Sequence, residues 1–199
     1  MDRTTRMKEM DRVILGCRLC RLHAWRTSAV PGHGRIEDVE AVIIGEAPGR
    51  NEDLEGKPFV GSGGKLLDEL LKKAGLDRKE VYITNVVKCR PPENRKPEKD
   101  EVEICTKNYL DKQLEVLKPL LIVTLGATAL EYFTGKKKMG EFHGKLTNTK
   151  YGIPLLPTYH PAVRDFVAQD QIAIEGSRSL TYSVASDLSR PSADKDSAI

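Results

Sequence analysis

Cys17-Arg-Leu-Cys20 is a C-x₂-C pair, and Cys89 and Cys105 stand 16 positions apart later in the chain. Four cysteines with none left over suggest one four-thiolate site, holding either zinc or an iron–sulfur cluster. Zinc ribbons bring two close pairs, and Cys89 and Cys105 are not one. A redox dithiol needs a thioredoxin-like βαβ setting around its C-x-x-C, which this segment lacks. The plain alternative is that Cys89 and Cys105 are small core residues; spacing alone leaves both metals open. The stretch "CRPPENRKPEKDEVEIC" (89–105) joins the two later cysteines. Pro91, Pro92 and Pro97 stiffen it, and Arg90, Arg95 and Lys96 make it basic. Fixed at both ends, it would present charge to phosphates; unfixed, it is an ordinary charged crossover loop.

A second candidate is "GEAPGRNEDLEGKPFVGSGGKLL" (45–67). It follows an apolar run, is rich in glycine and opens a helix. It lacks the Gly-Lys-Ser/Thr ending of a nucleotide-binding P-loop, and it sets Phe59 in an otherwise polar loop.

These residues need elements to hold them. "AVIIG" (41–45), "VYITNVV" (81–87), "LLIVTLG" (120–126) and "IPLLP" (153–157) read as four buried strands. Leu66, Leu67, Leu70, Leu71 and Ala74 form one helical stripe stopped by Gly75. Val102, Cys105, Leu110, Leu114 and Leu117 form a second, and residues 127–133 a third, shorter helix. Strand and helix alternate, which predicts a mainly parallel sheet with helices on both faces. Sites in such sheets form at the carboxyl ends of strands. Residues 45–49, Asn85 and Tyr159-His160-Pro161 fall there.

The 199 residues are enough for one sizeable core. The opening "MDRTTRMKEMDR" has no apolar h-region, and no run approaches the roughly 18 apolar residues of a membrane span. The expected location is the cytoplasm, without membrane association. Net charge is +3, but residues 165–199 carry −3 and residues 1–164 carry +6. That bias is compatible with a polyanionic partner. Residues 176–199 hold seven serines and no periodicity, and are expected to form a disordered tail behind a domain over residues 1–175.

Together, the 45–67 segment, "VYITNVVKCRPPENRKP", the four cysteines and "YHPA" resemble family 4 of the uracil-DNA glycosylases, the iron–sulfur type of bacteria and archaea. The likeness runs from about residue 13 to 164. It implies an α/β fold, a three-layer α/β/α sandwich around a mainly parallel four-stranded sheet. It implies a [4Fe–4S] cluster on Cys17, Cys20, Cys89 and Cys105, with zinc the less favoured occupant. The implied partner is uracil-containing single- or double-stranded DNA, met as a monomer. The implied reaction is hydrolysis of the bond between uracil and deoxyribose, leaving an abasic site for base-excision repair.

The resemblance also implies roles. Phe59 stacks on the flipped base and is expected to stay exposed until DNA arrives. Asn85 reads the Watson–Crick edge of uracil. His160 donates to uracil O2 as negative charge develops there. Glu46 holds the loop or the water. Related families place an acid or amide where this chain has Ala47, and some carry a tyrosine against thymine's methyl where it has Gly49, leaving Glu52 to close that side. Gly63 and Lys65, at the entry of a helix, and Arg90, Arg95 and Arg164 are expected near DNA phosphates. Beyond Arg164 the likeness ends. The rival reading is a metal-stabilised nucleic-acid-binding protein that has a base pocket but little or no turnover; a third is a zinc-site nucleotide-binding protein.

Overall fold

The computed structural model of the chain describes residues 1–161; Arg164 and the serine-rich tail lie outside the described residues. Its centre is strand β2 (Ala41–Gly45). Successive side chains of a strand point to opposite faces. Val42 and Ile44 enter one hydrophobic cluster and Ile43 enters another. Strand β3 (Tyr82–Asn85) repeats this, with Tyr82 in the first cluster and Ile83 in the second. Both faces of the sheet are therefore covered.

The first face is packed by helix α1 (Arg3–Leu15) through Met7 and Ile14, by α5 (Asp111–Leu117) through Leu114 and Leu117, and by α6 (Ala127–Thr134) through Leu130 and Phe133. The second is packed by α3 (Ser62–Lys73) through Leu67 and Leu71. The result is the expected three-layer α/β sandwich.

The sheet has six strands rather than four, in the order β1-β3-β2-β4-β6-β5. Strands β4 (Leu121–Leu125) and β6 (Pro154–Thr158) complete the parallel centre. The additional strands are β1 (His33–Gly34) and β5 (Thr147–Asn148), each antiparallel on an outer edge. Two residues are too few to show a period of two, so their pairing comes from the neighbouring strand. Short edge strands also offer little template for unwanted pairing.

Two helical features bear on the cysteines. Between α4 (Lys99–Cys105) and α5 the chain makes a π-helical turn, Thr106–Leu110. The apolar stripe does not mark this turn, since Tyr109, four positions after Cys105, is buried in the same cluster. Cys105 ends α4 and is itself buried. Helix α1, which periodicity did not reveal, is capped by Asp2, whose Oδ1 accepts from Thr5 N at 2.7 Å.

Helix α3 packs on the backbone of Phe59 at Gly64, where an added Cβ would collide with the Phe59 carbonyl. Gly64→Ala should gain at most about 1 kcal/mol of helix propensity. It should lose about 1–3 kcal/mol to overpacking, because the obstacle is backbone and cannot rotate away. We expect a thermal midpoint several degrees lower, read by calorimetry. An unchanged midpoint would mean that α3 can shift freely.

Candidate active site

The carboxyl ends of β2, β3, β4 and β6 open into one cleft of about 770 Å³. Strands adjacent in sequence diverge to opposite sides of β2, giving the crevice where ligands bind in open α/β sheets. Glu46, Ala47, Gly49, Glu52, Phe59, Gly63, Asn85, Arg95 and His160 line it. The structure therefore brings together most residues singled out from sequence. Lys65 is exposed on the first turn of α3, beside the cleft rather than in its lining.

Gly45 makes the floor possible. A Cβ there would lie 2.5 Å from Asn85 Oδ1 and 2.6 Å from Phe59 Cζ. Gly45 and Asn85 are register partners on β2 and β3. The missing side chain lets an amide and a phenyl ring approach the same point. Asn85 is 1% exposed, and its Oδ1 is buried with no hydrogen-bond partner among the described residues. A buried acceptor left unpaired costs about 1–3 kcal/mol.

Phe59 departs from expectation. It is only 5% exposed, packed with Ile43, Leu67, Leu71, Ile83 and Leu125. The ring is a wall of the second core that also lines the cleft, so it is held in place before any ligand arrives. Its backbone takes φ 52°, a left-handed conformation that a phenylalanine rarely adopts. The surrounding loop overrides that preference. Glu52, in α2 (Arg50–Glu55), accepts from Val60 N and Gly61 N at 2.9 Å each and from Gly49 N at 3.1 Å. Its carboxylate also fills the space of a side chain at Gly49, where a Cβ would lie 2.7 Å from Oε2. The neighbouring Asp53 is 2% exposed and accepts from Thr27 N and Ser28 N. It braces the loop from behind.

His160 follows β6. Its ring centroid is 5.8 Å from that of Phe59, tilted by 31°. A Cβ on Gly63 would lie 3.9 Å from His160 Cε1, so the α3 entry and the histidine face each other. Burial lowers the imidazole below its usual pKa; the Glu46 and Glu52 carboxylates oppose this less strongly. Glu46 accepts a hydrogen bond from Thr128 Oγ1 on α6, a partner not foreseen from sequence. The basic loop is less free than it looked. Arg95 donates to both oxygens of Glu101, at 2.9 and 2.7 Å, and Glu101 is fully buried. Arg90 Nε donates to Asn94 Oδ1 at 2.8 Å.

Among the described residues, no group of three or more His, Cys, Asp or Glu side chains converges as the ligands of one metal ion. The four sulfurs nevertheless share an environment. Cys17 and Cys20 act electrostatically on Cys89, and Cys89 and Cys20 act on Cys105. Each sulfur receives an N–H donor. Leu19 N lies 3.5 Å from Cys17, Arg26 Nη1 lies 2.8 Å from Cys89, and Lys88 N lies 3.3 Å from Cys105. The Leu22 amide donates to Cys20. Donors aimed at sulfur favour thiolate, yet burial pushes the Cys105 thiol up to about 12. Cys89 and Cys105, buried and supplied with donors yet disfavoured by burial as free thiolates, fit the ligands of a metal centre.

Sequence reasoning also missed Lys88, whose side chain is 1% exposed. Burial pulls its ammonium down to about 8, opposed by Cys105, Asp11 and Cys89. The available sign was a charged residue in the run "VVKC".

A model of the uracil DNA glycosylase superfamily matches residues 31–171, which spans every wall of this cleft. The chain belongs to that superfamily. Within it, the chain is 46% identical over 173 residues to a "Type-4 uracil-DNA glycosylase" of Sulfurisphaera tokodaii, covering 81% of this chain and 76% of the relative. It is 49% identical over 155 residues to the type-4 protein of Saccharolobus solfataricus, covering 73% and 71%. The type-4 protein of Thermotoga maritima is 45% identical over 148 residues, covering 73% and 76%. Gly45, Phe59, Asn85 and His160 all lie inside the superfamily match, and Cys17 and Cys20 precede it.

Proposed function

We propose that this protein is a uracil-DNA glycosylase that hydrolyses the N-glycosidic bond of uracil in DNA. The carrying observation is the buried Asn85 Oδ1, which has no partner among the described residues and stands at the junction of the cleft with Phe59. Uracil presents N3–H as a donor and O4 as an acceptor, so one fixed amide satisfies both. Cytosine presents an acceptor at N3 and a donor at C4, which sets like against like.

A base in a duplex must leave the stack to reach such a pocket. Phe59 receives the flipped ring, and the Glu52 carboxylate packed at Gly49 closes the side of C5. The bond from C1′ to N1 breaks with its electron pair moving onto the uracil ring. His160 donates to O2 as the charge grows. Burial keeps the imidazole neutral at pH 7, so it donates a hydrogen bond without first carrying a charge. Glu46, held by Thr128, orients the water that adds to C1′ and opposes the positive charge of the sugar. The second proton of that water passes to solvent. With Ala47 at the loop, no stronger base is required if bond breaking precedes attack.

Cys17, Cys20, Cys89 and Cys105 would hold a [4Fe–4S] cluster. It would supply a cross-link between residues 17–20 and the 89–105 loop, outside the cleft. DNA is the partner, and its phosphates meet Gly63 in the cleft lining, Lys65 beside it and Arg90 on the basic loop. Arg95, paired with Glu101, braces the loop. We expect a monomer in the cytoplasm. Among the described residues no helix is long and apolar enough to cross a membrane. The relatives' glycosylase names do not favour the rival binding protein without turnover.

The test is incubation with a uracil-containing oligonucleotide followed by alkali, which cleaves at abasic sites. Wild-type protein should give cleavage at uracil alone. Asn85→Asp should lose uracil excision by about tenfold or more. With its carboxyl protonated, it should gain measurable excision of cytosine. No cleavage by the wild type sinks the assignment. An Asn85→Asp variant with wild-type uracil rates removes Asn85 from base reading.

A further inference from the structure

Lys88 is enclosed between the four-cysteine site and the base pocket. Its backbone N–H donates to Cys105 Sγ at 3.3 Å, and its carbonyl accepts from Val30 N at 2.7 Å. The side chain turns back toward the end of β3. Its Nζ donates to Asn85 O at 2.8 Å and Thr84 Oγ1 at 2.6 Å. Thr84 Oγ1 in turn donates to Pro31 O at 2.7 Å, so the hydroxyl is used in both directions. The backbone beyond Asn85 is tied to the first loop by Val86 N to Gly45 O and Val87 N to Glu46 O.

An apolar side chain would fill this place without the cost of burying a charge. An ammonium adds two directed bonds, one of them to the backbone of Asn85 itself. Asn85 must hold its amide to within a fraction of an ångström to distinguish donors from acceptors. We propose that Lys88 is a positioning residue for Asn85, which fixes the base-reading amide from an anchor in the four-cysteine site. This inference rests on the reading of Asn85 as the residue that contacts the base.

The experiment compares Lys88→Met, Thr84→Val and Thr84→Ser with wild type as purified, cluster-loaded proteins. Four quantities are read: visible absorbance with iron content, inhibition of excision by free uracil, single-turnover excision, and affinity for an oligonucleotide with an abasic site. Lys88→Met should keep iron. Its uracil inhibition should weaken about tenfold, as for loss of a charged hydrogen bond, and excision should slow in proportion. Abasic-site affinity should stay within about twofold, since phosphate contacts are untouched. Thr84→Ser should behave as wild type and Thr84→Val should weaken uracil inhibition.

An iron-replete Lys88→Met protein with wild-type uracil inhibition overturns the inference. So does a variant in which uracil inhibition and abasic-site affinity fall together, the mark of general structural damage. Should Lys88→Met fail to fold, equal uracil inhibition in Thr84→Val and Thr84→Ser overturns it. A wild type without excision defeats both this inference and the assigned function. An active wild type with unaffected variants defeats this one alone.

Discussion

His160→Ala should lower single-turnover uracil excision by roughly 10²–10³-fold, the loss found when one donor to a developing oxyanion is removed. The physical ground is position. The ring stands 5.8 Å from Phe59, the wall assigned to the base, and faces Gly63 across the cleft. The interaction strengthens only as charge moves onto O2, so the rate should fall far more than DNA affinity. A pH profile gives an independent reading. Burial lowers the imidazole pKa from its usual value, and Glu46 and Glu52 only partly restore it. The neutral form is thus the resident form at and above the ordinary histidine pKa, and excision should be flat between about pH 6.5 and 8. Charging should enter only on the acid side of that window. If His160→Ala cleaves normally while DNA binding collapses, the residue is a DNA contact. A rate that falls across the window in wild type but not in His160→Gln makes it a general acid instead.

Cys89→Ala should abolish visible absorbance and soluble, folded protein together. Binding of a structural metal contributes on the order of 10–16 kcal/mol in the best-studied small domains. A whole domain is stable by only about 5–15 kcal/mol. Even a fraction of the first quantity consumes the second. The substitution also removes the acceptor of Arg26 Nη1, leaving a half-buried guanidinium that still holds Leu15 O and Cys17 O. Residues 15–17 and the start of the basic loop then lose their shared anchor. Arg26→Lys should be milder, because an ammonium can reach one of these partners but not all three. The measurements are iron per chain, absorbance and thermal midpoint. A colourless Cys89→Ala protein that stays soluble and excises uracil at the wild-type rate would show that the four cysteines are not one centre.

The sequence by itself determined the parallel core. Four apolar runs of five to seven residues, separated by helical stripes, can be buried only as a covered sheet, and each run contains a strand. It also marked the site, because Gly45, Asn85 and His160 stand where such strands end. What tertiary structure decided were the relations between distant segments. The edge strands His33–Gly34 and Thr147–Asn148 exist only because β3 and β6 offer them open edges. Phe59 looked like an exposed ring in a polar loop. It is buried because α3, stopped against its backbone at Gly64, brings Leu67 and Leu71 over it. What holds Glu52 in the cleft wall was equally unwritten: three backbone N–H groups brought within 3.1 Å fix its carboxylate beside Gly49. Lys88 showed no role until the fold placed its two ends at Cys105 and Asn85. Periodicity records how much of a segment is buried, a property each residue carries locally. Which hydrogen bond a polar side chain makes depends on what lies opposite after folding, and no local pattern encodes that.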